Sequence, residues 1–219
     1  MRKLSLGLLF VLLCMVLSGC DKGPKAEDKG LVITKDGTIT STLVEPFDEE
    51  YYDLLELLDM IQLEIGQYNQ DAGKEGIVLN SLEMVEENCV AVMTYQSPED
   101  YALYNEVPFF AGTIQEAVKA GVDLDVVLTE AGENETIGQD EIEQLEAYQL
   151  VVWYGDMPVE VPGKIRYHSD GLQLLGSKRV VAEDLDKEET EDGSSIEEAA
   201  GASEFIEAEL AGPFYLIYK

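Results

Sequence analysis

The stretch Leu31–Asn69, LVITKDGTITSTLVEPFDEEYYDLLELLDMIQLEIGQYN, decides the fold class. Two β-branched runs, LVIT and TITSTLV, flank Asp36-Gly37, a dipeptide suited to a type I′ turn. Leu31–Phe47 therefore reads as a hairpin. Asp48 offers an N-cap, with Glu49 and Glu50 favourably placed in the first turn. Tyr51, Leu54, Leu55, Leu58, Ile61, Ile65 and Tyr68 then recur at helical spacing, which predicts a helix over Glu49–Tyr68. Leu57, Met60 and Leu63 widen its apolar surface. A hairpin followed by such a helix needs a sheet for the helix to cover. The fold class is α+β.

Working toward the C-terminus, Ile77–Glu86 and Cys89–Gln96 read as a second hairpin turning near Glu87-Asn88. Ser97-Pro98-Glu99-Asp100 begins a short helix bearing Tyr101 and Tyr104. Thr113 with Glu116 three residues on is a capping box, starting a helix that runs to Ala120. Val122–Thr129 reads as a strand and Gln139–Ala147 as a short helix or turn. From Gln149 the texture becomes short strands divided by turn pairs, an antiparallel β-meander. Glu183–Glu209 interrupts it with twelve acidic residues and one Lys, an acidic loop extending to about residue 212. The closing PFYLIYK, Pro213–Lys219, is too apolar to dangle and should return to the sheet. Residues 31–219 read as a single domain, with a secondary division at 31–147 and 148–219.

Working toward the N-terminus, Asp21–Gly30 has no apolar period and reads as a flexible tether. Before it, Arg2 and Lys3 precede the apolar run LSLGLLFVLLCMVLS, which has signal-peptide length and is short for a bilayer crossing. Leu17-Ser18-Gly19-Cys20 follows, and the chain turns polar at once. This quartet resembles the lipobox of bacterial lipoproteins. The resemblance implies a signal peptide over residues 1–19, cleavage after Gly19, and a diacylglyceryl group on the Cys20 thiol. It places the body on the outer face of the cytoplasmic membrane, and Asp21 fits retention there. Two or three acyl chains anchor stably, whereas one binds only marginally.

The 219 residues carry 14 Lys+Arg against 45 Asp+Glu, a formal net charge of −31. Loss of Arg2 and Lys3 with the signal would take it to −33. Hydrophobic residues make up 46%, enough for a real core. The charge excludes the phosphate neutralisation that nucleic-acid binding needs, and it disfavours electrostatic docking on anionic lipid.

No reaction centre is legible. His168 is the one histidine, in the turn-like YHSDG, and adjacent Ser169 and Asp170 do not make a triad. Of three cysteines, Cys14 lies in the signal and Cys20 in the lipobox-like quartet. Cys89, in CVAVMTY, reads as a small buried hydrophobe. One histidine and one remaining thiol leave no zinc site, and no cofactor is implied. Asp184-x-Asp186-x-Glu188 lacks the glycine and the distal glutamate of an EF-hand loop. The expectation is a non-catalytic protein for binding or envelope assembly, its partner an envelope protein or cell-wall ligand. A carboxylate-based envelope hydrolase and a structural spacer are the alternatives.

Tyr101, Tyr104, Phe109 and Phe110, with Trp153-Tyr154, supply one binding idea, since aromatic faces stack on sugars and peptides. Core packing is the favoured reading of these rings. EPFDEEYYD, SPEDYALYNEVPFFAGTIQEA, VPGKIRYHSDG and PFYLIYK together give most of the mature chain a resemblance to small lipoproteins of clostridia-type bacteria. That resemblance transfers no catalytic residue and supports only location and one continuous domain.

Overall fold

The computed structural model describes residues 29–49, 52–183 and 211–219. The signal-like segment with Leu17, Ser18, Gly19 and Cys20, residues 21–28 of the expected tether, and residues 184–210 of the acidic loop lie outside them, while Gly30, read as the end of the tether, is already in the first strand.

Strands β1 (Gly30–Ile33) and β2 (Ile39–Pro46) form the expected hairpin, with Ile33 opposite Ile39. Its turn is longer than a two-residue type I′. The Thr34 N–H donates to the Thr38 carbonyl at 2.9 Å, and Gly37 takes the positive φ of 86°. This leaves a three-residue loop, Lys35–Gly37, with glycine at the left-handed position.

Helix α1 spans Leu54–Ala72, starting five residues later than expected. Asp53, not Asp48, is the N-cap, accepting from the Leu55 and Glu56 N–H groups at 2.8 and 3.3 Å. The delay has a local cause. Tyr52 donates its N–H to the Glu49 carbonyl at 3.0 Å and stacks on Phe47 at 4.7 Å, contacts made ahead of the helix rather than within it. Gly73, at φ 65°, caps the other end in the left-handed conformation. Ile65 is buried, with Ile61 and Tyr68 packed beside it, and the helix lies against β3 (Ile77–Val85). The wide apolar face is not all used: Leu55, Met60 and Leu63 are exposed.

Strand β3 pairs with β4 (Asn88–Tyr95) around a two-residue turn at Glu86-Glu87, one residue earlier than read from sequence. Glu86 holds a positive φ of 57° there. Helix α2 (Pro98–Asn105) is N-capped by Ser97. It leads to β5 (Phe109–Thr113), a strand the sequence did not announce because it is five residues long and contains Gly112. Helix α3 (Ile114–Ala120) carries the anticipated Thr113–Glu116 capping box. The strand expected over Val122–Thr129 shrinks to β6 (Leu128–Glu130); ahead of it, the Val126 N–H bonds back to the Leu124 carbonyl, which is turn geometry. After β7 (Thr136–Ile137), helix α4 covers only Gln139–Gln144.

The C-terminal strands are β8 (Gln149–Trp153), β9 (Val159–Glu160), β10 (Ile165–His168), β11 (Leu172–Leu174), β12 (Arg179–Ala182) and β13 (Phe214–Tyr218). They are shared between two sheets. A seven-stranded sheet runs β11-β12-β9-β1-β2-β4-β3, and a six-stranded sheet runs β5-β8-β13-β10-β6-β7. Among the described residues all pairings are antiparallel except β1 with β9. Each sheet takes strands from both sides of residue 147, through the β1–β9 and β5–β8 ladders. The terminal strand returns as expected: β13 lies between β8 and β10 with all five residues buried.

Two cores result. One lies between the sheets, joining Leu31, Ile33, Ile39 and Tyr95 to Val151, Trp153, Leu216 and Tyr218. The other covers the opposite face of the six-stranded sheet, where Leu150, Val152 and Ile217 meet Ile114, Ala117 and Ile142 from α3 and α4. β8 and β13 feed both cores through alternate residues, as a period of two requires. This explains why QLVVW and FYLIY are apolar throughout rather than alternating.

Candidate functional site

The two sheets meet at one end around an open cleft of about 780 Å³. That size falls within the roughly 300–1,000 Å³ of small-molecule sites. The β1–β2 turn supplies Thr34, Lys35 and Asp36. Ala111, Gly112 and Thr113 come from the end of β5, Gln149 from β8, and Gly163, Tyr218 and Lys219 from the β10 and β13 ends. Ile33 and Tyr218 are buried and tie the cleft to the inter-sheet core.

Gly163 is required where it stands. A Cβ there would lie 2.6 Å from the Lys219 backbone oxygen. That approach lets Lys164 and Lys219 exchange both backbone hydrogen bonds, at 2.8 and 3.0 Å, closing one wall.

The cleft carboxylates are both engaged locally. Asp36 accepts from the Thr34 hydroxyl, and that bond together with backbone N–H donors holds its pKa below the ordinary value. Glu116 accepts from the Thr113 N–H and hydroxyl, each at 2.7 Å, and is likewise lowered, first by the backbone bond. Both are therefore anions at neutral pH. The cleft lysines differ. Among the described residues neither Lys35 nor Lys219 has a carboxylate partner, but Lys219 Nζ sits 4.7 Å from the centroid of the Tyr148 ring, which packs on the second core, so Lys219 meets the cleft through its backbone beside Gly163.

The aromatic group singled out in the sequence is not one surface. Tyr101 and Phe109 pack together at 4.8 Å, and Tyr101 meets Tyr95 edge-on at 5.1 Å. Tyr104 meets Tyr68 edge-on at 5.8 Å. These three rings line the inter-sheet core, while Phe110, one residue on in β5, packs into the other core. Burial pushes the Tyr101 phenol up to about 12. Trp153 is buried against Phe214 at 5.6 Å, with no hydrogen-bond partner for its Nε1 among the described residues.

No family model, no curated protein and no solved structure matches this chain. The site is therefore read from its own geometry.

His168 is the last residue of β10, half-buried, rather than an exposed turn residue, and its Nδ1 lies 3.0 Å from the Ser169 carbonyl. Cys89 is buried, and burial raises its thiol pKa, as suits an inert side chain. Glu130, Glu133 and Glu135 bring carboxylates within 4.8 Å of one another at the β6–β7 turn. Arg166 pairs with Glu130 at 3.3 Å, and the other two acids are exposed.

A polar knot missed in the sequence ties α1 and α2 to the sheet. Asp100 is buried and accepts from Ser97 Oγ at 2.6 Å, Lys74 Nζ at 2.8 Å and Tyr68 Oη at 2.9 Å. Nearby, Asn69 Oδ1 accepts from the Gly76 and Ile77 N–H groups. The partners lie 26 and 32 residues from Asp100 in sequence, so only the helix start at Ser97-Pro98-Glu99-Asp100 was legible.

Proposed function

We propose that this chain is a lipid-anchored extracytoplasmic binding protein, fastened through Cys20 to the outer face of the cytoplasmic membrane and taking its ligand in the inter-sheet cleft. The lipobox-like Leu17-Ser18-Gly19-Cys20 supports the location. The cleft carries the binding reading. Its two acids are committed to capping a turn and a helix, and both have lowered pKa values. A carboxylate hydrolase needs one acid kept protonated near neutral pH, which requires a raised pKa. The arrangement therefore favours holding a ligand over cleaving one. Its partner would be an envelope protein or a cell-wall ligand.

Fractionation of cells expressing Cys20→Ala tests the anchored half of this reading. The native protein is expected in the membrane fraction and the variant outside it. An unchanged membrane fraction for the variant would contradict lipid anchoring.

A further inference from the structure

We propose that the cleft takes a small organic amine in its protonated form, held by the carboxylates of Asp36 and Glu116. The inference rests on the reading of the cleft as a ligand site and adds the ligand's class.

One side of the cleft is the open end of the inter-sheet core. Thr113, Gln149 and Tyr218 form a cross-strand row over β5, β8 and β13, and the next row inward is Ala111, Val151 and Leu216. Alternation puts both rows on the face that meets the seven-stranded sheet, because Val151 and Leu216 belong to the core between the sheets. The inner row is apolar, and the outer row offers a hydroxyl, an amide and a phenol. Gly112 and Gly163 add wall without side chains. This side of the cleft is therefore uncharged.

Charge comes from two other places. Asp36 sits in the β1–β2 turn of one sheet, and Glu116 in the first turn of α3 beside the other. Asp36 accepts from the Thr34 hydroxyl and backbone N–H groups, and Glu116 from the Thr113 N–H and hydroxyl. Every one of these donors is neutral, so each bond orients a carboxylate without cancelling its charge. Both Glu116 bonds go to Oε2, which leaves Oε1 unused. Lys119, along α3, lowers the Glu116 pKa least and makes no ion pair with it among the described residues. The Lys219 ammonium lies on Tyr148, and Lys35 is exposed beside Asp36. Two anions against one exposed ammonium make the cleft negative, and its complement is a cation. A metal ion fits poorly, since calcium wants about six to eight oxygen ligands. Among the described residues the one trio of acids close enough for a metal is Glu130, Glu133 and Glu135, outside the cleft. An organic cation instead uses the uncharged side, where its carbon chain can lie.

Equilibrium dialysis of the full lipidated protein in detergent micelles against radiolabelled hexamethylenediamine tests this. Hexanediol and adipate are its neutral and anionic counterparts of the same length. At about 150 mM sodium chloride the Debye length is about 8 Å, so attraction to the chain's overall charge is screened. The diamine offers an ammonium to each acid; it should bind at one equivalent, at least tenfold more tightly than either counterpart. Asp36→Asn and Glu116→Gln should each weaken it about threefold, the scale of an exposed charge pair. Both variants keep the local fold, since asparagine suits a turn and glutamine serves in a capping box. Lys35→Gln should tighten binding. Glu133→Gln and Glu135→Gln change the net charge equally outside the cleft and should leave binding unaltered. Equal weakening by these two would reveal diffuse attraction and overturn the proposal. Displacement of the diamine by an equal concentration of calcium chloride would overturn it in favour of a metal. Hexanediol or adipate binding as tightly as the diamine, and lost in Gln149→Trp, would overturn the amine class and leave the cleft as a ligand site. Binding of none of the probes would count against the cleft itself.

Discussion

Asp100 is 1% exposed and ionised at once, a combination that needs an explanation at the level of single groups. Burial alone would raise its pKa, but the bonds from Lys74, Ser97 and Tyr68 outweigh that and hold it below the ordinary value. Asp100→Asn should cost about 2 kcal/mol in urea unfolding, since hydrogen bonds to a buried charge are worth more than neutral ones. The sign with pH follows from the lowered pKa. The carboxylate's contribution is full above the unfolded value of about 3.9 and fades as pH falls through the lower folded one. The difference between native and variant stability should therefore shrink below about pH 4; a difference that persists there would contradict the assignment. Gly76→Ala probes the same knot, because its Cβ would lie 2.7 Å from Asp100 Oδ1. It should destabilise by about 1–3 kcal/mol, the cost of overpacking. At the alkaline end, burial raises Tyr68 and Tyr101 to about 12. The unfolded chain then loses its phenol protons first, so stability should fall as pH rises past about 10.

Among the elements, α1 separates what periodicity reveals from what it conceals. Its spacing predicted a helix, and the helix is there, because 3.6-residue recurrence is a property of the local chain. Which apolar residues it buries depends on what lies opposite, and the sequence does not carry that. Ile65→Ala should therefore cost about 2–4 kcal/mol, while Leu63→Gln, at a position 74% exposed, should stay within about 0.5 kcal/mol. Equal costs for the two would show that the outer face is buried in solution. The hairpin turns tell a similar story. Asp36-Gly37 marked the right place, but loop length was settled by the pairing of Ile33 with Ile39. Glu86 at φ 57° is a side chain where asparagine or glycine fits better. Glu86→Asn should stabilise by up to about 1 kcal/mol, and thermal unfolding would detect it. β5 stayed hidden because five residues with a glycine carry too little pattern, although that strand frames the cleft.

For the whole molecule, the cleft was illegible for a topological reason. Its walls come from the β1–β2 turn, β5, β8 and the ends of β10 and β13, brought together only by sheet order. The α+β class was legible because hairpin, helix and terminal strand each announced themselves locally. The allotment of the C-terminal strands to two sheets was not, since it depends on the long-range β1–β9 and β8–β13 ladders. The charge excess was visible from composition and has a global consequence. A chain with a formal net charge of −31 repels itself, and salt screens that repulsion. Raising sodium chloride from 20 to about 200 mM, which shortens the Debye length severalfold, should raise Tm; a falling Tm would mean that ion pairs such as Lys74–Asp100 dominate the electrostatics.

Anchoring at Cys20 is the premise that puts the cleft outside the cell, so it bears the most direct test. Mass spectrometry of the N-terminal peptide from protein extracted from native membranes would decide it. The account predicts a chain beginning at Cys20 with a diacylglyceryl thioether on its sulfur. A chain still beginning at Met1, or a Cys20 carrying no lipid, would contradict it.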